Sequence, residues 1–241
     1  MKIYRRNSRK NPWRNTREIK ELDVGKILAR LLIFSIPIML ICLSSNLVLR
    51  LPDAYQYNLS ATQSVSESGR VIKEDKLVEL FADFMQGKTD KFVLMEDVEY
   101  QPENVFNGAD QEAMLRLRFA LNLILVAGII ALLVTAASYF FLIRWRKKAL
   151  HMEYFKKSVW VFLLLSIANS LVKLVNPIRE ATWGKIFGTD FPKHDFLIEI
   201  FQNSFALHIT IFDLLVSWIL MGILAYGTWQ VAGRKKIFKA F

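Results

Sequence analysis

Read in windows of about 19 residues, the chain alternates long apolar runs with polar, strongly basic ones, and four runs are long enough to cross ~30 Å of hydrocarbon. They lie at 31–49, 119–143, 158–175 and 209–231. The second, FALNLILVAGIIALLVTAASYFFLI, carries no charge, and the third and fourth hold one each, Lys173 and Asp213. The first contains Pro37, which membrane helices tolerate where neighbours satisfy the freed carbonyl. The connecting segment 50–118 begins with a polar loop at 58–69 that includes the sequon Asn58-Leu59-Ser60. KEDKLVELFADFMQGK then predicts an amphipathic helix with Leu77, Leu80, Phe81, Phe84 and Met85 on one face and Gly87 as its stop. That apolar stripe is expected to rest on the core of a small domain, with the bilayer surface or the second connecting segment as the alternatives. KFVLMEDVEY reads as one extended segment, followed by Pro102 and Asn107-Gly108 as a turn. The second connection, 176–208, is too apolar for a solvated loop. It is expected to lie along the bilayer interface, with Trp183, Phe187, Phe191, Phe196, Phe201 and Phe205 as an aromatic belt.

Charge orients these helices. Twenty of the 32 basic residues, against four of the 22 acidic ones, fall in 1–30, 144–157 and 232–241. That leaves twelve basic and eighteen acidic residues elsewhere. The basic side stays in the cytoplasm, so both termini are expected inside and segments 50–118 and 176–208 outside. The expected fold class is an all-α integral membrane protein with four transmembrane helices and a small extracytoplasmic α(+β) domain between the first two. Its cytoplasmic parts are a basic N-terminal segment (1–30), a basic loop (144–157) and a tail (232–241). A hydrophobic content of 53% excludes a disordered chain, and Cys42, the one cysteine, excludes an internal disulfide framework. The net charge of +10 is spread over three juxtamembrane segments, where topology and anionic lipid account for it, so nucleic acid is not an expected partner. Roughly thirty polar and basic residues before the first apolar run argue against a cleaved signal peptide.

Candidate chemistry is sparse. Of three histidines, His151 falls in the basic loop and is expected on the surface. His194 stands beside Asp195 in the second outer segment, and His208 at the outer mouth of the fourth helix, where an imidazole is a candidate base. Charges within membrane segments cost several kcal/mol unless paired or wetted. Lys173 and Asp213, each about one turn from an outer helix end, are therefore expected to form an ion pair, as a clamp between helices three and four or within a polar pocket with Asn169 and His208. The five-residue spacing sets His208 and Asp213 about 140° apart on a regular helix, which favours the clamp. Glu112 and Arg116 form an i, i+4 surface pair. No metal-ligand spacing, phosphate loop or serine elbow is visible, so neither metal nor cofactor is expected. The apolar middles of the helices exclude a channel built from this chain alone.

Three stretches carry a resemblance: Ser45-Asn46 with the downstream KLVELFADFMQGKTDKF, the run EAMLRLRFALNLI leading into helix two, and Asp195-Phe-Leu-Ile198-Glu-Ile200-Phe201 with Phe205-Ala-Leu-His208 before helix four. Together with the topology, they resemble the bacterial lipoprotein intramolecular transacylases. The resemblance implies a bacterial plasma-membrane setting and an outer-leaflet acyl transfer, from the glycerol of a lipoprotein to the amine of its N-terminal cysteine, carried by a pair of histidines. The matching positions here are Gln111 or Ala113 for one, and Asn176, Pro177 or Gly184 for the other, so the pair is absent. The expectation is a non-catalytic lipid- or lipoprotein-facing accessory or subunit of an outer-leaflet complex, with the bilayer, lipoproteins or other membrane chains as partners. Two alternatives stand beside it: a divergent acyltransferase using His208, with or without His194, and a purely structural subunit of a larger assembly.

Overall fold

The computed structural model describes residues 12–56, 74–98, 101–187 and 203–233. In order, the elements are α1 (Pro12–Val48), α2 (Glu74–Gln86), β1 (Met95–Val98), β2 (Gln101–Asn104), α3 (Gly108–Arg144), α4 (Lys148–Leu174), α5 (Asn176–Phe187) and α6 (Asn203–Thr228). Among the described residues, four helices are long and apolar enough to cross a membrane, over Val24–Val48, Gly108–Arg144, Lys148–Leu174 and Phe205–Ala232. They match the four expected apolar runs but are longer. Hydropathy detects only the part of a helix that matches hydrocarbon, whereas Lys, Arg and Glu are good helix formers that carry the backbone hydrogen bonding past the membrane edge. The expected 144–157 loop thus shrinks to a turn at 145–147. There Arg146 adopts a left-handed φ of 56°, and the Arg146 and Lys147 amides cap Ile143 and Leu142 at 3.0 and 2.9 Å, a Schellman stop without its usual glycine.

α1 is the hub of the bundle, with α3 along one side and α4 and α6 along the other. Its contact with α3 is close because Gly128 leaves room: a Cβ there would stand 3.1 Å from the Cys42 side chain and 3.2 Å from that of Leu43. Polar side chains stitch the same interface, Thr135 donating to Ser35 at 2.9 Å and Asn46 to the Leu121 carbonyl. Tyr139 and Thr228 share a 2.7 Å hydrogen bond that joins α3 to α6 at the bundle end away from the small domain. Trp160, Leu164, Leu133 and Ile223 stand exposed on the helix faces, the pattern of a surface solvated by lipid.

The small domain has its own core. α2 buries Leu77, Phe81, Phe84 and Met85, the apolar stripe that the sequence predicts, and ends at Gly87 with φ 83°. Phe81 stacks on Tyr55 at 5.1 Å and meets Phe92 edge-on at 5.0 Å, and this core continues without a break into Met114 of α3 and Phe205 and Ile209 of α6. Two expectations are corrected here. The expected segment is extended at Met95–Val98 and pairs antiparallel with β2, Met95 opposite Asn104 and Val98 opposite Gln101, which places Pro102, expected in a turn, in a strand. Asn107-Gly108, expected as a turn, instead starts α3. The Asn107 side chain accepts from the Ala109 and Asp110 amides at 2.9 Å each, and Asp110 accepts from the Asn107 amide at 3.1 Å, a reciprocal capping box.

Candidate functional site

One cluster of polar residues on the apolar helices gathers at the end of the bundle that carries the small domain. Asp213, 3% exposed on α6, forms an ion pair with Lys173 of α4. It also accepts hydrogen bonds from Ser44 and Ser45 of α1, the latter at 2.7 Å, and from Asn169 Nδ2 at 2.9 Å. A carboxylate isolated in a low-dielectric interior is prohibitively costly, and four donors from two neighbouring helices replace the water it has lost. The geometry follows from helix periodicity: Asn169 and Lys173 are one turn apart on the same face of α4, while Ser44 and Ser45 present adjacent hydroxyls from α1. Lys173 Nζ also lies 3.4 Å from Ser45 Oγ.

This cluster forms one end of a cavity of about 210 Å³. Apart from Thr182 of α5, its walls are otherwise apolar: Leu49 just past the end of α1, Leu117, Ala120, Leu121 and Ile124 of α3, Val172 of α4, and Phe205, Ala206 and Ile209 of α6. α3 and α6 make little contact with each other, and the space lies between them, bounded also by α1 and α4. Asp213 does not line the cavity; Ser45, Asn169 and Lys173 do. The chemical offer is therefore a single apolar slot ending in an ammonium, an amide and a hydroxyl oxygen, with the neutralising carboxylate set behind them.

The expected Lys173–Asp213 pair forms, and Asn169 joins it as the pocket reading expects. His208 does not line the cavity, as the 140° separation implies, and it is half-buried on another side of α6. His194 and Phe201 lie outside the described residues, as do Phe191 and Phe196, and of Trp183 and Phe187 the structure describes only their place in α5. Phe205, expected at the interface, is instead 2% exposed and stacked on Tyr55 at 5.9 Å, because the small domain settles directly on the helix ends. His151, expected on the surface, is fully buried and meets the Tyr139 ring edge-on at 4.2 Å, since the tight 145–147 turn folds the first turn of α4 back against α3. Glu112 and Arg116 pair on the surface as expected. Sequence reasoning missed the roles of Ser44 and Ser45. The available signal was the polar run Ser44-Ser45-Asn46 inside an apolar helix, all three residues of which are buried. No group of three or more metal-ligating side chains occurs among the described residues.

No family profile and no curated protein matches the sequence. Among solved structures, the chain is similar to the membrane-integral lipoprotein intramolecular transacylase Lit from Bacillus cereus, determined in meso as a histidine-to-alanine variant. The alignment covers 91% of this chain and 98% of that one, with a TM-score of 0.69 at 11% identity. At that identity the likeness speaks for the fold. The chain is thus a multi-pass membrane protein with the Lit-like fold, spanning nearly the whole length of the transacylase it resembles.

Proposed function

We propose that this protein accommodates the acyl chain of a lipid or lipoprotein in the cavity between α1, α3, α4 and α6, and serves as a lipid- or lipoprotein-facing subunit of an outer-leaflet complex. In this reading both termini are cytoplasmic and the small domain is extracytoplasmic. The observation that carries the proposal is the make-up of the cavity: largely apolar walls, one polar end, and no histidine among the described residues that line it. The positions matching the family's histidine pair, Gln111 or Ala113 and Asn176, Pro177 or Gly184, carry no side chain able to shuttle a proton near neutral pH. A general base has to reach the proton it abstracts, and His208 does not border the space where an acyl group fits. Acyl-chain binding needs only the cavity.

The test pairs binding with lipoprotein chemistry. Wild type, Ala120→Trp, which fills the slot from α3, and His208→Ala are expressed in a bacterial host. Lipids retained by each purified protein, and the N-terminal acylation of the host lipoproteins, are read by mass spectrometry. The expected result is acyl lipid retained by wild type and His208→Ala but lost from Ala120→Trp, with lipoprotein acylation unchanged throughout. A wild-type-dependent move of one acyl chain onto the terminal amine, abolished in His208→Ala, overturns the proposal and makes the protein a rewired acyltransferase. Equal lipid retention by wild type and Ala120→Trp overturns the cavity as the binding site.

A further inference from the structure

The polar end of the cavity carries a charge count that selects its ligand. Lys173 brings one positive charge and Asp213, in direct contact with it, one negative charge, so the cluster is neutral overall. Asp213 is already engaged by Ser44, Ser45, Asn169 and Lys173, and no further donor is needed to satisfy it. Lys173 has protons to spare, since an ammonium offers three donors and its described partners are Asp213 and the more distant Ser45 hydroxyl. Asn169 likewise commits one amide proton to Asp213 and keeps a second. The slot therefore presents surplus hydrogen-bond donors without surplus positive charge.

An anionic head group entering such a site brings an uncompensated charge into an apolar wall, and also faces the Asp213 carboxylate behind the ammonium. That arrangement is penalised by desolvation and by like-charge repulsion. A neutral carbonyl oxygen takes the spare donors at no such cost. At about 210 Å³ the cavity falls below the roughly 300–1,000 Å³ typical of sites that enclose a whole drug-sized ligand, so it suits part of one chain better than two chains side by side.

We infer that Lys173 and Asn169, neutralised by Asp213 and completed by Ser45, recognise the carbonyl oxygen of an ester- or amide-linked single acyl chain and discriminate against the free fatty carboxylate. This inference rests on the acyl-chain reading of the cavity and adds the residues that choose the head group. Lys173 and Asn169 are specificity-determining residues here, and Asp213 is a positioning residue whose charge sets the selection.

The experiment compares three single-chain probes on the purified full chain in nanodiscs at about pH 9, where the free fatty carboxylate is ionised. They are monooleoylglycerol, its ether analogue lacking the carbonyl, and oleic acid. For wild type, the ester is expected to bind about tenfold tighter than the ether, the ratio that one net hydrogen bond supports, and tighter than oleic acid. Asp213→Asn, which leaves the Lys173 charge unbalanced, is expected to reverse the order so that oleic acid binds tightest. Lys173→Met with Asp213→Leu removes the pair as a unit and is expected to bring ester and ether within about twofold while the chain still binds. Equal binding of ester and ether by wild type overturns the inference, as does oleic acid as the tightest wild-type ligand. If Asp213→Asn does not fold, the wild-type order and the double variant decide. Binding of chains with no head-group preference refutes this inference alone. Failure of all three probes to bind wild type, or binding untouched by Ala120→Trp, refutes the acyl-chain reading and this inference with it.

Discussion

Replacing Asp213 with alanine is the most informative single perturbation of the bundle. The carboxylate is 3% exposed and is the common acceptor for groups on α1 and α4. Removing one partner of a buried ion pair costs about 3–5 kcal/mol because the other charge is left uncompensated. Two features of the site place the expected loss at the lower end of that range. The Lys173 side chain is 18% exposed and borders the cavity, so it recovers some solvation, and Ser44 retains the Ile41 carbonyl as acceptor at 3.1 Å. The loss is then about 3 kcal/mol, which for a chain of this size lowers the melting temperature by about 6–12 °C. Cys42, the only cysteine, is half-buried, so its reaction with a thiol-reactive fluorophore during a thermal ramp in detergent reports the unfolding of α1. The double variant Lys173→Met with Asp213→Leu, which removes both charges, is expected to recover most of the loss. A drop below about 2 °C in Asp213→Ala refutes the reasoning, and so does a double variant no more stable than the single one.

Three further outcomes test the rest of the fold. Gly128→Val forces branched carbons against Cys42 and Leu43, where even a Cβ meets atoms at 3.1 and 3.2 Å; the expected cost is about 1–3 kcal/mol, read as a lower melting temperature and faster labelling of Cys42. Arg146→Gly relieves a left-handed backbone at φ 56°, a strain of about 1–2 kcal/mol partly offset by the greater unfolded freedom of glycine. A small rise in melting temperature is expected, and a fall refutes the strain. Tyr55 donates to the Leu49 carbonyl at 2.6 Å, and burial pushes its phenol above the ordinary tyrosine range. Tyr55→Phe is expected to cost about 1 kcal/mol near neutral pH. Because the unfolded phenol ionises near about pH 10 while the folded one does not, the wild-type advantage falls as pH rises above that value. A gap between the two melting curves that stays constant up to about pH 11 refutes the burial argument.

The sequence by itself determined what depends on local pattern. Four apolar runs require four helices because a bilayer leaves backbone groups no external partner. The period of Leu77, Phe81, Phe84 and Met85 determines the buried face of α2, and the isolated charges at 173 and 213 each require a partner. What it left open depends on distances between segments remote in the chain. Hydropathy places the edges of hydrocarbon and not of helix, so the extension of α4 back to Lys148 and the burial of His151 against Tyr139 came only with the tight turn. Phe205 reads as an interfacial aromatic until the small domain is seen resting on the helix ends, where Tyr55 takes the surface that lipid was expected to cover. Ser44 and Ser45 precede Asp213 by almost 170 residues, and no local pattern links a hydroxyl pair on one helix to a carboxylate on another. The site exists because α3 and α6 leave space between them while α1, α4 and α6 bring the polar cluster to its edge, an outcome of packing among all four long helices that no one segment encodes.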